Sequence, residues 1–553
     1  MLYSTRVGCF NLEKAVPYVK LALPLLFTSI LSAASPVITS IQNPASNILP
    51  GLPNFGIAQG EIFVLYGTDM GPTTLVQASA LPLPTTLPAG IGTQVKITQN
   101  GTVYNAPIIY VLNTQIAAVM PSNIPVNGTG PLAGVQVIYN GVAGNTFATT
   151  IVNSNFGIST VDQTGGGRAV ITDPSYAVIT PTNSALPGIT YTMWGTGLGP
   201  SDSDTNLATK GTFPTIHVFV GGVEASVTYS GLSGGVGLNQ INFTIPVGLS
   251  GCNVSLIVQS DTTPARVSNA TTIPIAPNGG VCTDVYSPLP PVIDSALKKG
   301  SVTLGAVTLD GDQKQATALF LRFTPAQYAA AGNRLSNLTP GSCTTFVQLG
   351  SGGAHSGNPN DGLPESTGVD AGSGLTVTPP GGPITRMPLL QAGIYQSNIT
   401  AVTSGSYGFS GTGGKDIAPF AVSVNGPPAF TWTNPTIKTV VRSQGLRITW
   451  AGGDANSSVN ISGYANGNPI TVNGQSVPSN TYTQFECLAA ATAGSFTVPP
   501  SILLALPAVN GNASNGGLFV YLQANPQILT FPGADYSFSA WNTATASASV
   551  AYQ

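Results

Sequence analysis

The sequence predicts an all-β protein in which tandem β-sandwiches are followed by further β-rich domains. Three observations lead to this prediction. A phrase that we call the aromatic phrase occurs twice, as GEIFVLYGTDMGP at 60–72 and GITYTMWGTGLGP at 188–200. A glutamine phrase follows each copy, as TQIAAVMP at 114–121 and NQINFTIP at 239–246. Short runs of β-branched and aromatic residues, bounded by glycine, asparagine or proline, fill the sequence between them. Matched phrases at matched spacing indicate a duplicated module.

The N-terminal segment 1–34 is typical of an export signal peptide. Three basic residues precede the apolar stretch Leu21–Leu31, and the small residues at 32–34 offer a cleavage site. A membrane anchor is the alternative, but the apolar run is about half of the ~20 residues that span a bilayer. No cysteine directly follows the cleavage site, so a lipid anchor is not expected there. No later segment is long and apolar enough to be a transmembrane helix. We therefore expect a secreted or cell-surface, extracellular protein.

Residues 36–156 and 157–282 are predicted as two copies of one module. About seven short strands with turns between them are typical of an immunoglobulin-like fold, in which two sheets pack as a β-sandwich. Each copy closes on a similar element, which begins at Asn145 in the first copy and at Asn269 in the second.

The aromatic phrase predicts a strand and the point where the chain leaves the sheet. Its aromatic residues, Tyr66 and Trp194, are expected to end a buried strand. The glycines that follow allow a bulge or a positive φ at the exit. Nothing in this interpretation requires a ligand, so the duplicated half is predicted to be scaffold and the function is sought in the unrepeated half.

The paired phrases resemble those of tandem IPT/TIG modules, the immunoglobulin-like folds shared by plexins and certain transcription factors. They look more closely like a repeat of uncharacterised exported proteins of environmental bacteria, in which YGTGLGP precedes QIN-x-x-VP. This chain has WGTGLGP at 194–200 and QINFTIP at 240–246, with looser copies in the first module. The resemblance implies the fold and supplies no catalytic residues. The basic DNA-binding loops of the transcription factors have no counterpart here.

The second half of the chain is predicted to contain two further domains. Residues 285–424 are expected to form a β-rich domain with long Gly/Ser loops, and 425–553 a C-terminal domain similar to a β-sandwich. The Pro-rich segment 281–292 is a candidate linker, and a short helix is expected at 325–335.

Four cysteines are expected in the exported chain: Cys252, Cys282, Cys343 and Cys487. An even number suggests two disulfides, for which three pairings exist. Cys252–Cys282 is favoured because both lie in the second module, where a bridge would stabilise by ~3 kcal/mol. Cys343–Cys487 then follows by elimination. Four buried free thiols are the alternative.

Few residues could carry acid–base or metal chemistry. The two histidines, His217 and His355, have no evident partners. The G-x-S-x-G match at 231–235 lacks the helix that a nucleophile elbow requires, and Asp-Gly-Asp at 310–312 lacks the later ligands of an EF-hand. We expect no catalytic residues, no cofactor and no metal.

Charge is scarce along the whole chain. Asp, Glu, Lys and Arg make up 7% of 553 residues, and the net charge is −3, whereas about 25% charged residues is usual. No basic run exists that could neutralise phosphates, so nucleic acid is not an expected partner.

These observations predict a non-enzymatic secreted or cell-surface protein whose immunoglobulin-like modules act as scaffold or as adhesion and binding modules. Its expected partner is a cell-surface or extracellular polysaccharide or protein. The alternative is a carbohydrate-binding or accessory component of a secreted carbohydrate-active system that binds through 285–553. Trp432, Trp450 and Trp541 would then stack on sugar rings, although tryptophans in such strands are more often core residues.

Overall fold

In a computed structural model, the described residues are 34–553 except for 128–130, 287–290, 292–294, 296–297, 299, 325–326, 328–337, 350–365, 468–469, 473–474, 478–480, 511–514 and 544–545. The predicted signal peptide, most of the predicted helix at 325–335, and His355 lie outside the described residues. Within the described part, no helix is long and apolar enough to cross a membrane.

The first module is a sandwich of two antiparallel sheets. One sheet has the order β1-β3-β8-β7-β4 and the other β10-β9-β5-β6, while β2 and β11 form a short parallel pair. Apolar side chains from both sheets, such as Phe63 and Ile97, form one buried core. The strands are β1 (Val37–Gln42), β2 (Ile57–Ala58), β3 (Ile62–Thr68), β4 (Val76–Gln77), β5 (Thr93–Gln99), β6 (Thr102–Asn105), β7 (Ile108–Val111), β8 (Gln115–Val119), β9 (Ala133–Tyr139), β10 (Val142–Thr149) and β11 (Ile151–Val152).

The second module repeats this construction. One sheet has the order β12-β14-β18-β17, with β13 beside β14, and the other has β16-β15-β19-β20, with β21 beside β19. Residues alternate between the core and the outer face, as in β18, because successive side chains of a strand point to opposite faces. The strands are β12 (Gly157–Ile158), β13 (Ile171–Thr172), β14 (Thr190–Thr196), β15 (Ile216–Val220), β16 (Val223–Ala225), β17 (Val227–Leu232), β18 (Asn239–Thr244), β19 (Gly251–Ser260), β20 (Arg266–Val267) and β21 (Thr271–Ile275).

The repeated phrases pair with each other inside each module. Tyr66 of the aromatic phrase lies opposite Gln115 of the glutamine phrase, on neighbouring strands. Trp194 lies opposite Gln240 in the same way in the second module. Each pair therefore places an aromatic ring beside an amide on the outer face of its sheet.

The asparagine that begins each closing element has the same role in both modules. Asn145 accepts from the backbone N–H of Ile38 (2.7 Å) and donates to its carbonyl (3.0 Å). Asn269 holds Ile158 identically, at 2.8 and 2.9 Å. Asn269 also donates to the carbonyls of Ala45 and Gly165. The second asparagine thus fastens its own first strand and, through Ala45, the first module.

The remaining strands belong to one C-terminal unit. They are β22 (Val302–Asp310), β23 (Gln315–Phe323), β24 (Cys343–Leu349), β25 (Thr367–Gly368), β26 (Thr376–Thr378), β27 (Thr385–Arg386), β28 (Leu389–Gln391), β29 (Ile394–Asn398), β30 (Ser406–Gly411), β31 (Phe420–Asn425), β32 (Phe430–Trp432), β33 (Thr439–Val440), β34 (Leu446–Gly452), β35 (Ser457–Asn466), β36 (Ile470–Val472), β37 (Gln475–Val477), β38 (Thr481–Ala490), β39 (Ser495–Val498), β40 (Gly516–Ala524), β41 (Gln527–Ile528), β42 (Tyr536–Asn542), β43 (Ala546–Ser549) and β44 (Ala551–Tyr552). A short helix, α1 (Pro500–Leu503), and 3₁₀ turns at Arg442–Gln444 and Ala491–Ala493 complete the described elements.

A 12-stranded sheet joins both predicted C-terminal domains. Its main path is β24-β38-β35-β40-β42-β22-β23-β29-β28. Near its middle, β22 from the first predicted domain pairs in parallel with β42 from the second. The predicted boundary at 424/425 therefore runs through a shared sheet, because long-range strand pairing of this kind leaves no mark in the local sequence.

Two disulfides are present among the described residues. Cys252 is bonded to Cys282 within the second module, and Cys343 to Cys487 across β24 and β38, where the two residues are register partners. Both pairs are the ones that the sequence favours. The second bond links the two predicted C-terminal domains covalently.

The two modules contact each other through the aromatic phrases. The hydroxyl of Thr196 in the second copy accepts from the backbone N–H of Ile62 in the first copy, at 2.9 Å. A Cβ on Gly60 would lie 2.8 Å from the carbonyl oxygen of Gly199. A Cβ on Gly197, whose φ is +100°, would lie 2.9 Å from a carboxylate oxygen of Glu61. The glycines therefore permit a backbone approach that any larger residue would block.

We predict that Asn269→Asp destabilises the protein much more than Asn145→Asp. Asn269 is buried and donates to three carbonyls, which an aspartate cannot do, and a buried carboxylate would face those oxygens. The expected losses are about 3–5 kcal/mol for Asn269→Asp and about 1 kcal/mol for the exposed Asn145→Asp. Calorimetric melting of both variants checks this, and equal shifts would contradict the assigned role.

Candidate functional site

A cleft of about 520 Å³ lies where the two modules meet the C-terminal unit. Its walls come from the loop at 46–54 of the first module, the glycine turn at 163–167 of the second, and residues 345–347 of β24. Ligand pockets occupy roughly 300–1,000 Å³ and occur preferentially at domain interfaces. The cleft has the size and the position of a binding site.

The loop at 46–54 is fastened to both neighbouring parts of the structure. Asn47 donates to the carbonyl of Gln163 in the second module, at 2.9 Å. Asn54 accepts from the N–H of Val267 (3.2 Å) and donates to the carbonyl of Leu504, just after α1 (3.4 Å). Both asparagines have positive φ, at 52° and 62°, a conformation that asparagine adopts more readily than most residues. The loop is thus a shaped wall of the cleft.

The glycine turn of the second module packs directly on the first module. Gly165 has a φ of +79°, and a Cβ there would lie 2.4 Å from the carbonyl oxygen of Ser46. Its N–H donates to the Thr160 hydroxyl (3.1 Å), and its carbonyl accepts from Asn269 (2.8 Å). The absence of a side chain at Gly165 sets the distance between the two walls.

The lining of the cleft is neutral and combines aromatic with polar groups. None of the described residues that line it is charged. Tyr66 and Phe346 contribute partly exposed rings, and burial raises the pKa of the Tyr66 phenol, which stays neutral. Ser46 is only 7% exposed, and its hydroxyl has no hydrogen-bond partner among the described residues. A buried polar atom without a partner is costly, and this hydroxyl oxygen lies beneath the surface of the cleft rather than on it.

A buried glutamate and a partly buried arginine lie behind the loop. Glu61 is fully buried, and its Oε2 accepts from the N–H of Ala58 at 2.7 Å, while Oε1 has no partner within the described part of the chain. Burial raises the pKa of Glu61 well above its usual value, against the opposing effect of the Arg266 guanidinium. Arg266 donates to the carbonyl of Phe55, at the end of the loop (3.4 Å). Arg266 therefore supports the end of the loop from behind.

The three tryptophans predicted as possible stacking residues are core residues, and that interpretation is wrong. Trp432, Trp450 and Trp541 are only 5–7% exposed and belong to the C-terminal core. The indole N–H of Trp432 donates to Asn434, and that of Trp450 donates to the carbonyl of Ala491. Their ring faces are covered by neighbouring apolar side chains, so they are not available to a sugar.

The other residues with candidate chemistry lie in turns or on the surface. Ser233 of the G-x-S-x-G match donates to the carbonyl of Leu238 within a turn. Asp310 accepts from the backbone N–H of Asp312 in a hairpin turn. His217 contacts Glu224 (2.6 Å) and Asp261 (3.2 Å) on the surface, and these carboxylates raise its pKa. No group of three or more His, Cys, Asp or Glu residues in the described part could hold a metal ion.

Sequence reasoning missed most of the cleft. Tyr66 was singled out only as the end of a strand, and Ser46 and Phe346 carried no signal of their own. One signal was present, because 43–56 (NPASNILPGLPNFG) is a long Pro-, Gly- and Asn-rich connection inside a module of otherwise short turns. Long connections of this kind are often functional.

No protein-family model matches the chain, and no curated protein matches it. Among solved structures it is similar to SGBP-B of the Bacteroides ovatus mixed-linkage glucan utilization locus, in complex with a mixed-linkage heptasaccharide. That likeness has 8% identity and a TM-score of 0.15, and it covers 77% of this chain and 98% of that one. The full extracellular region of plexin A4 is 11% identical with a TM-score of 0.13. That match covers 82% of this chain and 34% of the plexin chain. Titin Ig tandem domains are 8% identical with a TM-score of 0.12, and the match covers 40% of this chain and 91% of the titin chain. None of these likenesses is close enough to bear on the ligand.

We predict that Glu61→Gln flattens the dependence of stability on pH. Because the folded-state pKa of Glu61 is raised, the folded protein holds a proton that the unfolded chain releases above its usual pKa of about 4.5. The unfolding free energy of the wild type should therefore rise as the pH falls from 7 toward about 4.5. Denaturant unfolding at pH 5 and pH 7 measures this rise. It should shrink in Glu61→Gln and persist in Asp69→Asn, an exposed control in the same module; an unchanged rise in Glu61→Gln would contradict the assignment.

We also predict that Gly165→Ala costs more stability than Gly248→Ala. Both glycines have similar positive φ values, +79° and +84°, so the backbone strain of an alanine is shared. Only at Gly165 would the new Cβ meet a backbone atom, since nothing lies within 4 Å at Gly248. We expect losses of about 3 kcal/mol and about 1 kcal/mol, respectively, in thermal unfolding. Equal losses would show that the turn does not press on Ser46.

Proposed function

We propose that this protein is a non-enzymatic, exported or cell-surface binding protein that holds a segment of a neutral polysaccharide in the cleft. The observation that carries the proposal is the uncharged lining, which combines the partly exposed rings of Tyr66 and Phe346 with hydroxyl and amide groups. The immunoglobulin-like modules, which we assign to the IPT/TIG type on the repeated phrases, act both as scaffold and as two of the three walls.

The chemistry of the lining favours sugar rings. A hexose has apolar C–H faces and hydroxyl edges, and an aromatic ring packs well against the former. Amide side chains, such as those of Asn47 and Gln163, can hydrogen-bond the latter. An anionic ligand would have to leave water without a cation to receive it, which costs more than burying a neutral hydroxyl. A neutral glycan therefore fits the lining better than a uronate or a phosphate.

The absence of ionisable groups near the ligand supports binding without chemistry. Tyr66 is the sole ionisable side chain among the described lining residues, and its raised pKa keeps it protonated. Glycoside hydrolysis uses two carboxyl groups on either side of the bond, and the lining has none to offer. The two disulfides support export, because such bonds persist in oxidising compartments.

The C-terminal half takes part in the proposed site without its tryptophans. Phe346 and Val347 of β24, and Thr483 of β38, form one wall of the cleft. Sugar binding by 285–553 alone, the alternative that the sequence offers, would have to use other residues than the buried tryptophans. The proposed site needs all three parts of the structure.

We predict that Tyr66→Ala weakens the binding of neutral oligosaccharides about tenfold. Isothermal titration against cello-, malto-, manno- and xylo-oligosaccharides measures the affinity, with oligogalacturonate as the anionic comparison. Tyr139→Ala, a partly exposed tyrosine of the same module outside the cleft, is the matched control. Binding of the oligogalacturonate alone, or of no sugar, would overturn the proposal.

A further inference from the structure

The outer face of the β17-β18-β14 sheet carries a second set of aromatic and amide side chains, well separated in sequence from the cleft residues. We call it the shelf and define it by Tyr176, Trp194, Tyr229, Gln240 and Asn242. These residues come from three neighbouring strands and the turn after β13. All are partly or strongly exposed, and none is charged.

Tyr176 is held out into solvent by a rigid turn. Its side chain is 71% exposed, and its backbone has a φ of +66°, which is unfavourable for a residue with a large side chain. Asp173 fixes the turn by accepting from the N–H groups of Ser175 (2.8 Å) and Ala177 (2.9 Å). The Ser175 hydroxyl, with these N–H groups, lowers the pKa of Asp173, and all three bonds are accepted by its Oδ1. Strained backbone of this kind is concentrated at binding sites.

The Tyr176 ring extends the surface of Trp194. The two ring centroids lie 6.4 Å apart with the planes tilted by 35°. The indole N–H of Trp194 donates to the Thr172 hydroxyl at 3.0 Å, which fixes the ring on the outer face of β14. Trp194 is the partly exposed tryptophan of the four in the chain, because the other three are buried.

The amides beside Trp194 are oriented before any ligand arrives. Gln240 is the register partner of Trp194, and its Nε2 donates to Oδ1 of Asn242 at 2.8 Å. The hydroxyl of Thr192 donates to the same oxygen at 3.1 Å. These bonds orient both amides and leave the Gln240 carbonyl oxygen and the Asn242 amide nitrogen for a ligand, since no described residue bonds them.

The aromatic ring of Tyr229 lies on the other side of the two amides. Tyr229 of β17 is 42% exposed, and its hydroxyl donates to the carbonyl of Leu232 at 2.6 Å. Its ring lies over Gly231, where a Cβ would meet the Tyr229 hydroxyl at 2.9 Å, and Gly231 is the register partner of Gln240. Because β18 lies between β14 and β17, the two aromatic surfaces are about 10 Å apart with the amides between them.

We propose that the shelf binds the backbone of an extended, neutral polysaccharide, as a second site independent of the cleft. Aromatic rings on two sides would pack on sugar faces, and the two amides between them would bond the hydroxyl edges. The surface is exposed and carries no charge among its five residues, so it suits an uncharged chain. A protein partner would bury a larger apolar patch than the shelf, with its amide side chains, provides.

The test uses the full chain and polymers rather than short sugars. Native affinity electrophoresis is run in gels containing barley β-glucan, xyloglucan, galactomannan, glucomannan, arabinoxylan or dextran, with polygalacturonate as the anionic comparison. The Tyr66→Ala variant is the reference protein here, because its binding through the cleft is weakened. We expect at least one neutral polymer to retard it, and the addition of Tyr176→Ala to weaken that binding about tenfold. Val247→Ala is the control, since Val247 is 82% exposed in the same module and lies outside the shelf.

Fluorescence quenching supplies a readout that needs no substitution. Iodide should quench Trp194 selectively, because the other three tryptophans are buried, and the retarding polymer should protect it. Tyr66→Ala should leave the iodide quenching of Trp194 and its protection by the polymer intact, which separates the shelf from the cleft. The proposal is overturned if no neutral polymer retards the protein, or if Tyr176→Ala binds the polymer as the wild type does. It is also overturned if iodide quenches Trp194 equally with and without the polymer. A Tyr176→Ala variant that loses only the binding of a protein partner would overturn it too.

Discussion

The close approach of the two aromatic phrases is the constraint on which the rest of the structure depends. At this contact Gly60 meets Gly199, Gly197 meets Glu61, and Thr196 bonds the backbone of Ile62. Because no side chain separates the backbones of Gly60 and Gly199, one module cannot rotate against the other without breaking these contacts. The loop at 46–54 and the turn at 163–167 are thereby held at a fixed separation. The cleft exists because the modules are locked, and the same glycines that end the strands provide the lock.

At this junction, amide side chains make the buried polar contacts that charged side chains make in many proteins. Asn43, Asn155 and Asn269 are all buried there, and each donates to at least one backbone carbonyl. An amide can both donate and accept, so it satisfies buried backbone groups without the desolvation cost of an ion. Glu61 and Arg266 are the charged residues set behind the cleft wall, and burial shifts the pKa of each toward its neutral form. A chain with few charges can therefore still fix its modules firmly, and the described lining of its cleft is neutral.

The sequence predicted what is local and periodic, and it missed what depends on distant partners. Alternating strands and duplicated phrases were enough for the all-β fold and for sheets that do not cross 156/157. The parallel pairing of β22 with β42 joins residues more than 200 positions apart, and no local pattern announces it. Trp432, Trp450 and Trp541 drew attention because of their residue type, yet exposure depends on packing, and all three are buried. Ser46 belongs to the cleft only because Gly165 of the other module lies against it, a relation that neither segment contains alone.

The duplicated phrases have kept their register and acquired different surroundings. Tyr66 and Trp194 occupy equivalent positions, each opposite a glutamine on the outer face of its sheet. In the first module the C-terminal unit lies beside that face, and Tyr66 becomes part of a cleft. In the second module the face is exposed, and the turn at Asp173 adds Tyr176 to it. Equivalent strand-end aromatics thus lie in a cleft in one module and on an exposed face in the other. If the proposed sites bind as we infer, the repeat is more than scaffold, because it supplies the aromatic–amide pair twice and the neighbouring parts of the chain determine how each copy is exposed.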